Sequence, residues 1–393
     1  MGACGFHLSL IVVSLGIKFV WGDTDPFFLS HAVGINYGRL ADNLPPPSKA
    51  VELIKSINAG YVKIYDADSE VLKALANSTL PVVITVANEE VSGIASSTTT
   101  SDQWLQTNVL PYYPLTKISI IMVGNEILSH TELQSVWPQL VPAMQNMHAS
   151  LQKLNLDSSI KVTTSIGMDA LSSSYPPSNG SFKQEIAMSV IQPMLSFLSA
   201  TDSYFFLDVY PFFAWNSDPA NISLDYVLFG EITADVVQDG TLSYSNMLDA
   251  QLDAAIAAMA TLGYGEVKVV ISETGWPTSG DSSGATVANA ASYNTRLVSK
   301  LLSNTGTPRR PQTFFATFIF ALFNEDEKTG HTTERNWGLF YPDGTPVYDI
   351  DLSAGVIKTS HTLGAASSSS VVSCEFVWAS ILCSTNLLLL FIL

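Results

Sequence analysis

The fold of this chain of 393 residues is decided by one stretch, Val269-Val270-Ile271-Ser272-Glu273-Thr274-Gly275-Trp276-Pro277. Its β-branched apolar residues are typical of a buried strand in a parallel sheet. Gly275 and Pro277 end that strand directly after a carboxylate. A second stretch has the same form, Ile118-Ser119-Ile120-Ile121-Met122-Val123-Gly124-Asn125-Glu126. Two buried strands are therefore expected to deliver one Glu each at their C-terminal ends.

Strand-like and helix-like patterns alternate along the rest of the chain. The predicted strands are 33–37, 61–65, 82–86, 118–123, 160–165, 204–209, the stretch that carries Glu273, and 313–320. This alternation predicts an α/β fold, a (β/α)8 TIM barrel, with the chemistry at the C-terminal ends of the strands. Residues 214–244 are long for a connection and predict a small subdomain inserted after strand 6. An open doubly wound sheet is the alternative, although no GxGxxG motif follows the first strand.

Charge and composition exclude several classes of function. The net charge of -17 argues against nucleic acid as a partner, because phosphate binding needs clustered positive charge. The three cysteines, Cys4, Cys374 and Cys383, all lie near the two ends, so the body of the chain has no thiol for catalysis or metal binding. No HExxH-like pair of histidines occurs. We expect no cofactor, no catalytic zinc and a monomer.

The two ends of the chain resemble processing signals. Residues 1–22 predict a signal peptide cleaved before Asp23, with a retained anchor helix or cleavage after Ala32 as alternatives. The (β/α)8 barrel domain is expected at 23–350, followed by a linker at 351–366 and a removed propeptide at 367–393. Small residues, a polar spacer and an apolar tail predict a glycosylphosphatidylinositol (GPI) anchor, with a transmembrane helix as the alternative. The candidate attachment residues are Gly364, Ala365, Ala366 and Ser367, and Ser368 is also possible.

Three Asn-X-Ser/Thr tripeptides agree with a secreted route, and they begin at Asn77, Asn179 and Asn221. Together with the two ends, they predict a secreted protein. We expect it on the extracellular face of the plasma membrane, held in the outer leaflet by a GPI lipid, and in contact with a cell wall or apoplast.

Hydrolysis of a glycosidic bond requires two carboxyl groups, and the two strand ends supply them. One must protonate the leaving oxygen, and the other must capture or stabilise the oxocarbenium-like centre. We assign Glu126 as the general acid/base and Glu273 as the nucleophile, and we expect Asn125 to hydrogen-bond the sugar hydroxyl beside the reacting carbon. Any single Glu of this kind is more often a solvated charge at a strand end. The apolar strands and the flanking motifs favour the catalytic interpretation.

Those flanking motifs resemble the plant β-1,3-glucanases of glycoside hydrolase family 17 across nearly the whole mature chain. The matching motifs are Val33-Gly34-Ile35-Asn36-Tyr37-Gly38, Val123-Gly124-Asn125-Glu126, Val209-Tyr210-Pro211-Phe212-Phe213, Ile271-Ser272-Glu273-Thr274-Gly275-Trp276-Pro277, Phe320-Ala321-Leu322-Phe323-Asn324-Glu325-Asp326-Glu327-Lys328, and Glu334 with Asn336-Trp337-Gly338-Leu339-Phe340-Tyr341. The resemblance implies a (β/α)8 barrel, retention of configuration, and the same two catalytic glutamates. It also implies that Glu325, Lys328 and Glu334 form a charged cluster beside the nucleophile; a surface salt-bridge cluster is the alternative.

Aromatic residues near strand ends are candidates for sugar stacking, although each alone is more often part of the core. They are Tyr37, Tyr65, Tyr210, Phe213 and Trp337, and Trp276 is a further candidate for substrate binding. The leading hypothesis is a retaining endo-hydrolase of 1,3-β-glucosidic linkages in a callose-like β-1,3-glucan, serving wall remodelling or plant defence. The alternatives are a non-catalytic β-glucan-binding surface protein, a glucanosyltransferase and a 1,3;1,4-β-glucanase.

Overall fold

The computed structural model describes residues 32–230 and 236–354. The predicted signal peptide, the GPI attachment residues and the propeptide lie outside the described residues. The strands are β1 Val33–Tyr37, β2 Val62–Ile64, β3 Val82–Val86, β4 Ile118–Val123, β5 Lys161–Thr163, β6 Ser165–Gly167, β7 Leu171–Ser173, β8 Ser181–Phe182, β9 Tyr204–Asp208, β10 Val237–Asp239, β11 Leu242–Tyr244, β12 Lys268–Thr274 and β13 Thr317–Ile319.

The helices pack around the strands. They are α1 Pro47–Ser56, α2 Ser69–Ala74, α3 Val91–Ser96, α4 Thr98–Asn108, α5 Leu140–Lys153, α6 Gln184–Ile186, α7 Gln192–Ala200, α8 Pro211–Ser217, α9 Leu224–Val227, α10 Met247–Thr261 and α11 Val287–Leu302. In α11, Tyr293, Leu297 and Leu301 recur at helical spacing and are buried. Within the described ranges, no helix is both long enough and apolar enough to cross a membrane.

Nine parallel strands form one sheet in the order β5-β4-β3-β2-β1-β13-β12-β9-β6. β1 pairs with both β2 and β13, so the first and last strands of the sequence are neighbours. The predicted fifth strand is two short pieces that flank Thr164, one paired with β4 and the other with β9. The sheet is therefore a nearly closed (β/α)8 barrel. The open doubly wound alternative is wrong.

The barrel strands are buried along their length, which explains their nearly continuous apolar sequence. The interior is filled by aromatic rings, and the ring of Phe318 lies 6.3 Å from that of Phe206 and 5.9 Å from that of Tyr61. Gly34 is required beside them, because a Cβ there would lie 2.7 Å from the Phe318 ring. The barrel is thus a packed core, and a ligand can enter only above it.

The segment after β9 differs from an ordinary βα connection. It contains α8, α9 and the antiparallel β10–β11 hairpin, and residues 231–235 within it are not described. The predicted inserted subdomain therefore corresponds to two short helices and a hairpin. The helix α8 begins directly after Tyr210 and carries Phe213 to the mouth of the barrel.

Candidate active site

Glu273 lies near the end of β12 and is 5% exposed. Three side chains donate hydrogen bonds to its carboxylate. Lys63 Nζ and Tyr65 Oη lie 2.8 and 2.6 Å from Oε1, and Tyr210 Oη lies 2.8 Å from Oε2. The donors come from β2, from the residue that follows β2, and from the turn after β9, so the barrel itself fixes the orientation of the carboxylate.

These contacts favour the ionised form of Glu273. Burial alone would raise the pKa of Glu273, but the charge of Lys63 and the hydrogen bonds from Lys63 and Tyr65 outweigh it, so the pKa lies below its ordinary value. The hydroxyls of Tyr65 and Tyr210 remain neutral donors, because burial and the charge of Glu273 raise the pKa of both well above the usual range.

Glu126 follows β4 through a tight turn and lines the same cleft as Glu273. Burial first, and then the negative charge of Glu273, raises the pKa of Glu126 to about 7. Asn125 beside it is half-buried, and its side-chain oxygen accepts a hydrogen bond from Ser165. The site thus holds one carboxyl that keeps its proton near neutral pH and one that loses it.

The two glutamates open into a cleft of about 500 Å³. Its wall is aromatic: the ring of Tyr210 lies 5.4 Å from Phe213 and 5.1 Å from Trp337. Phe213 is 46% exposed, so one face of its ring is available to a ligand. Within the described chain, Nε1 of the buried Trp337 has no hydrogen-bond partner. The cleft is lined by Glu126, Ser129, Gly167, Met168, Asp169, Asp208, Tyr210, Phe213, Ala214, Gln251, Glu273, Phe320, Lys328, Glu334 and Trp337.

The predicted charged cluster is divided between the cleft and the wall beneath it. Lys328 and Glu334 line the cleft, and Lys328 Nζ lies 4.1 Å from the centre of the Phe320 ring. Glu325 is buried, lies 3.8 Å from Lys328, and accepts a hydrogen bond from the backbone N–H of Leu40. Glu325 therefore holds the loop after β1, and the alternative of a surface salt-bridge cluster is wrong for it.

Three aromatic residues do not act as the sequence suggested. Trp276 is fully buried and donates its indole N–H to the Gly284 carbonyl, so it cannot contact a sugar. Tyr37 is 2% exposed and packs against Phe323. Tyr65 bonds Glu273 and is not among the residues that line the cleft. The expected substrate-binding role of Trp276 and the expected stacking role of Tyr37 are wrong, because both rings face the packed core.

Two functional candidates were missed at the sequence level. Lys63 is completely buried, and its ammonium also bonds Ser272 Oγ at 2.9 Å. Asp208 lines the cleft at the end of β9, is 2% exposed, and makes no hydrogen bond of standard geometry to a described residue. Burial, and then the charge of Glu273, raises the pKa of Asp208 well above its ordinary value. Both residues interrupt apolar strands, and that interruption was the available signal.

The chemistry of the site is that of acid–base and nucleophilic catalysis. In the described ranges, no group of three or more His, Cys, Asp or Glu side chains is placed to hold a metal ion. A proton-bearing carboxyl, an ionised carboxyl and an aromatic wall at the C-terminal mouth of a (β/α)8 barrel define a glycoside hydrolase that uses two carboxyls.

The chain belongs to glycosyl hydrolases family 17, because the sequence model of that family matches residues 33–352. It is 48% identical over 330 residues to a probable glucan endo-1,3-beta-glucosidase of Arabidopsis thaliana, covering 83% of this chain and 68% of that protein. It is 43% identical over 352 residues to a glucan endo-1,3-beta-glucosidase of the same plant, covering 88% and 69%.

Solved structures agree with this assignment. A β-1,3-glucanase and pollen allergen of Cryptomeria japonica matches with a TM-score of 0.79 and 40% identity, over 82% of this chain and 99% of that one. A structure from a study of two plant β-glucan endohydrolases with distinct substrate specificities matches with a TM-score of 0.75 and 36% identity. That match covers 81% of this chain and 100% of the other.

Proposed function

We propose that this protein hydrolyses internal 1,3-β-glucosidic linkages of β-1,3-glucan with retention of configuration, with Glu273 as nucleophile and Glu126 as acid/base. The observation that carries the proposal is the placement of two carboxyls in one cleft with opposite surroundings, since Glu273 accepts three hydrogen bonds, one of them from the Lys63 ammonium, and Glu126 lies beside it with no cation of the described chain in contact. Lys63 and Tyr65 lower the pKa of Glu273 and so keep it ionised, whereas burial and the charge of Glu273 raise the pKa of Glu126 to about 7. The names of the relatives support the substrate class.

The reaction has two steps in this geometry. In the first, a carboxylate oxygen of Glu273 bonds to the anomeric carbon while the glycosidic C–O bond breaks and the proton of Glu126 moves to the leaving oxygen. In the second, the Glu126 carboxylate takes a proton from water, and the water oxygen displaces Glu273. Tyr65 and Tyr210 keep Glu273 oriented throughout, and Phe213 offers a face for sugar stacking.

The charged and polar groups around the cleft are assigned to substrate binding. Lys328 and Glu334 in the cleft lining, and the half-buried Asn125 beside Glu126, provide hydrogen-bonding groups for sugar hydroxyls. The ring of Trp337 lines the same wall, but its indole N–H is buried. Glu325 acts through the loop that it holds. A 1,3;1,4-β-glucanase is the second candidate, because one similar structure comes from a study of two plant β-glucan endohydrolases whose substrate specificities differ.

Stereochemistry tests the proposal directly. Linear β-1,3-glucan oligosaccharides are incubated with the wild-type protein, with Glu273→Ala and with Glu89→Ala, while proton NMR follows the newly formed anomer. Glu89 is an exposed glutamate after β3 and is absent from the cleft lining, which makes it a matched control. The expected result is an early β-anomer in the wild type and in Glu89→Ala, and no turnover in Glu273→Ala.

Other products would change the assignment. An early α-anomer would exclude Glu273 as nucleophile. Products longer than the substrate would identify a glucanosyltransferase, in which a sugar hydroxyl replaces water in the second step. Retained binding without turnover in the wild type would leave a non-catalytic glucan-binding protein. Cleavage of 1,4-linkages adjoining 1,3-linkages would extend the substrate class to mixed-linkage glucans.

We further propose that the mature protein is monomeric and is held by a GPI lipid on the outer face of the plasma membrane, in contact with the cell wall. The support is the sequence of the two ends and the exposure of all three predicted glycosylation sites, Asn77, Asn179 and Asn221. Phosphatidylinositol-specific phospholipase C should release the protein from intact cells. Protein that needs detergent for release after that treatment would indicate a transmembrane helix instead.

A further inference from the structure

The backbone of Glu126 has an unusual conformation for a residue other than glycine. Its φ and ψ angles are 48° and 34°, which is the left-handed region, and Gly124 two residues earlier has φ of 73°. Side-chain sterics disfavour this region for L-residues, so it persists only where neighbours impose it. The conformation turns the chain sharply after β4. The left-handed conformation therefore belongs to the residue whose carboxyl must reach the glycosidic oxygen to donate its proton.

One side-chain amide holds the peptide before Glu126. Asn88, in the turn after β3, donates from Nδ2 to the Asn125 carbonyl at 3.0 Å and accepts the Asn125 N–H on Oδ1 at 2.7 Å. Two hydrogen bonds from one planar group fix the peptide units on both sides of Asn125. A Cβ on Gly124 would lie 2.2 Å from Ile127, so the turn also requires glycine there.

A hydroxyl holds the other side of the same turn. Ser165 Oγ accepts the backbone N–H of Glu126 at 3.1 Å and lies 3.1 Å from Asn125 Oδ1. A serine hydroxyl has a single proton, so this proton goes to Asn125 Oδ1. The amide of Asn125 is therefore oriented with its oxygen toward Ser165, which leaves Nδ2 as the group free to donate to a ligand.

We propose that Asn88 and Ser165 are positioning residues for the acid/base Glu126, together forming a clamp that holds its left-handed turn. The inference rests on the role proposed above for Glu126. Neither Asn88 nor Ser165 is among the residues that line the cleft, so both act through Glu126 and Asn125. Ser165 is the first residue after the interruption of the fifth strand at Thr164.

A comparison of leaving groups separates positioning of the acid from a general structural role. A glucan oxygen needs a proton to leave, whereas 2,4-dinitrophenolate leaves without one. Ser165→Ala and Asn88→Ala should lower kcat/KM for laminarioligosaccharides by about tenfold to hundredfold, part of the factor of about 10²–10⁴ that a general acid supplies. The same variants should keep kcat/KM for a 2,4-dinitrophenyl laminarioside within about threefold. Ser165→Thr, which keeps the hydroxyl, should restore most of the loss.

Two controls make each outcome decisive. Ser203→Ala removes an equally buried hydroxyl that bonds the Val162 carbonyl outside the cleft, and it should leave both substrates unaffected. Glu126→Ala must itself show the dependence on leaving group; if it does not, the role of Glu126 fails and the clamp loses its basis. If Glu126→Ala shows the dependence while Ser165→Ala and Asn88→Ala slow both substrates equally, the clamp is only structural and the inference is overturned.

Discussion

Replacing Lys63 by methionine should shift the acidic limb of the pH–rate profile. Lys63 Nζ lies 2.8 Å from Glu273 Oε1, and the two side chains are 0% and 7% exposed, so solvent screens their attraction very little. Methionine has a similar length and no charge. Glu273 would keep the hydrogen bonds of Tyr65 and Tyr210, but only the smaller attraction of Lys328 would then oppose the effect of burial. Its pKa must then rise.

The size of the shift follows from the energy of the pair. Removing one partner of a buried ion pair costs about 3–5 kcal/mol. Since one pKa unit corresponds to about 1.36 kcal/mol, a loss of about 3 kcal/mol raises the pKa of Glu273 by about 2 units. The fall in kcat/KM should begin near the new pKa and reach about a hundredfold at or below the original pKa, because only the ionised carboxylate attacks. The alkaline limb is set by Glu126, whose pKa of about 7 is also lowered by the charge of Lys63, so that limb should move to higher pH in the same variant.

The assay is kcat/KM for a laminarioligosaccharide between about pH 3 and pH 9, where the limbs report the ionisations of the free enzyme. Lys300→Met is the matched control, because it removes a similar cation 2.9 Å from Asp249, and neither residue lines the cleft. It should lower the free energy of unfolding without moving either limb. An unchanged acidic limb in folded Lys63→Met would refute the argument that Lys63 keeps Glu273 ionised.

Further predictions follow from other contacts. Because the pKa of Asp208 is raised in the fold, the contribution of Asp208 to stability is lost as pH rises above the ordinary pKa of about 3.9. Asp208→Asn should therefore raise the Tm relative to wild type at pH 7 but not at pH 3, as measured by calorimetry. Equal shifts in Tm at both pH values would contradict the raised pKa. Phe213→Ala should raise KM for laminarioligosaccharides about threefold to tenfold with a smaller change in kcat, since an aromatic contact contributes about 0.5–1.5 kcal/mol. Steady-state kinetics measure both constants, and an unchanged KM would show that the ring binds no sugar. Gly38→Ala places a Cβ 2.5 Å from the Glu325 carboxylate and should cost about 1–3 kcal/mol in urea unfolding, whereas Gly93→Ala, with its nearest neighbour at 3.8 Å, should cost nothing.

The strands and the two glutamates were predictable because local sequence determines them. An apolar β-branched run followed by a carboxylate and a Gly or Pro identifies a buried parallel strand and its C-terminal end. The structure places Glu126 and Glu273 on one cleft accordingly. The split in the fifth strand was not predictable, because residues on both sides of Thr164 are compatible with one continuous strand. Pairing with β4 and with β9 decides where it breaks.

The direction of individual side chains was harder to predict. Trp276 and Tyr37 lie at strand ends, where a small change in backbone direction decides between the cleft and the core, and both rings are buried. Lys63 and Asp208 carried a readable signal, since a charged residue within a buried strand must have a partner or lose its charge. The ionised partner of Lys63, however, is 210 residues away in sequence, so only the closed barrel identifies it.

The broken fifth strand has a consequence for how the protein loses its function on heating. At Thr164 the two ends of the nine-stranded sheet meet, because among the described strands β5 pairs with β4 and β6 pairs with β9, with no ladder from one side to the other. A wall without backbone hydrogen bonds across it opens at a lower free energy than a paired one, so we expect the barrel to separate first at this seam. Ser165 belongs to the seam and holds the turn of Glu126. Thermal inactivation should therefore begin as a local and reversible event while the rest of the barrel remains folded.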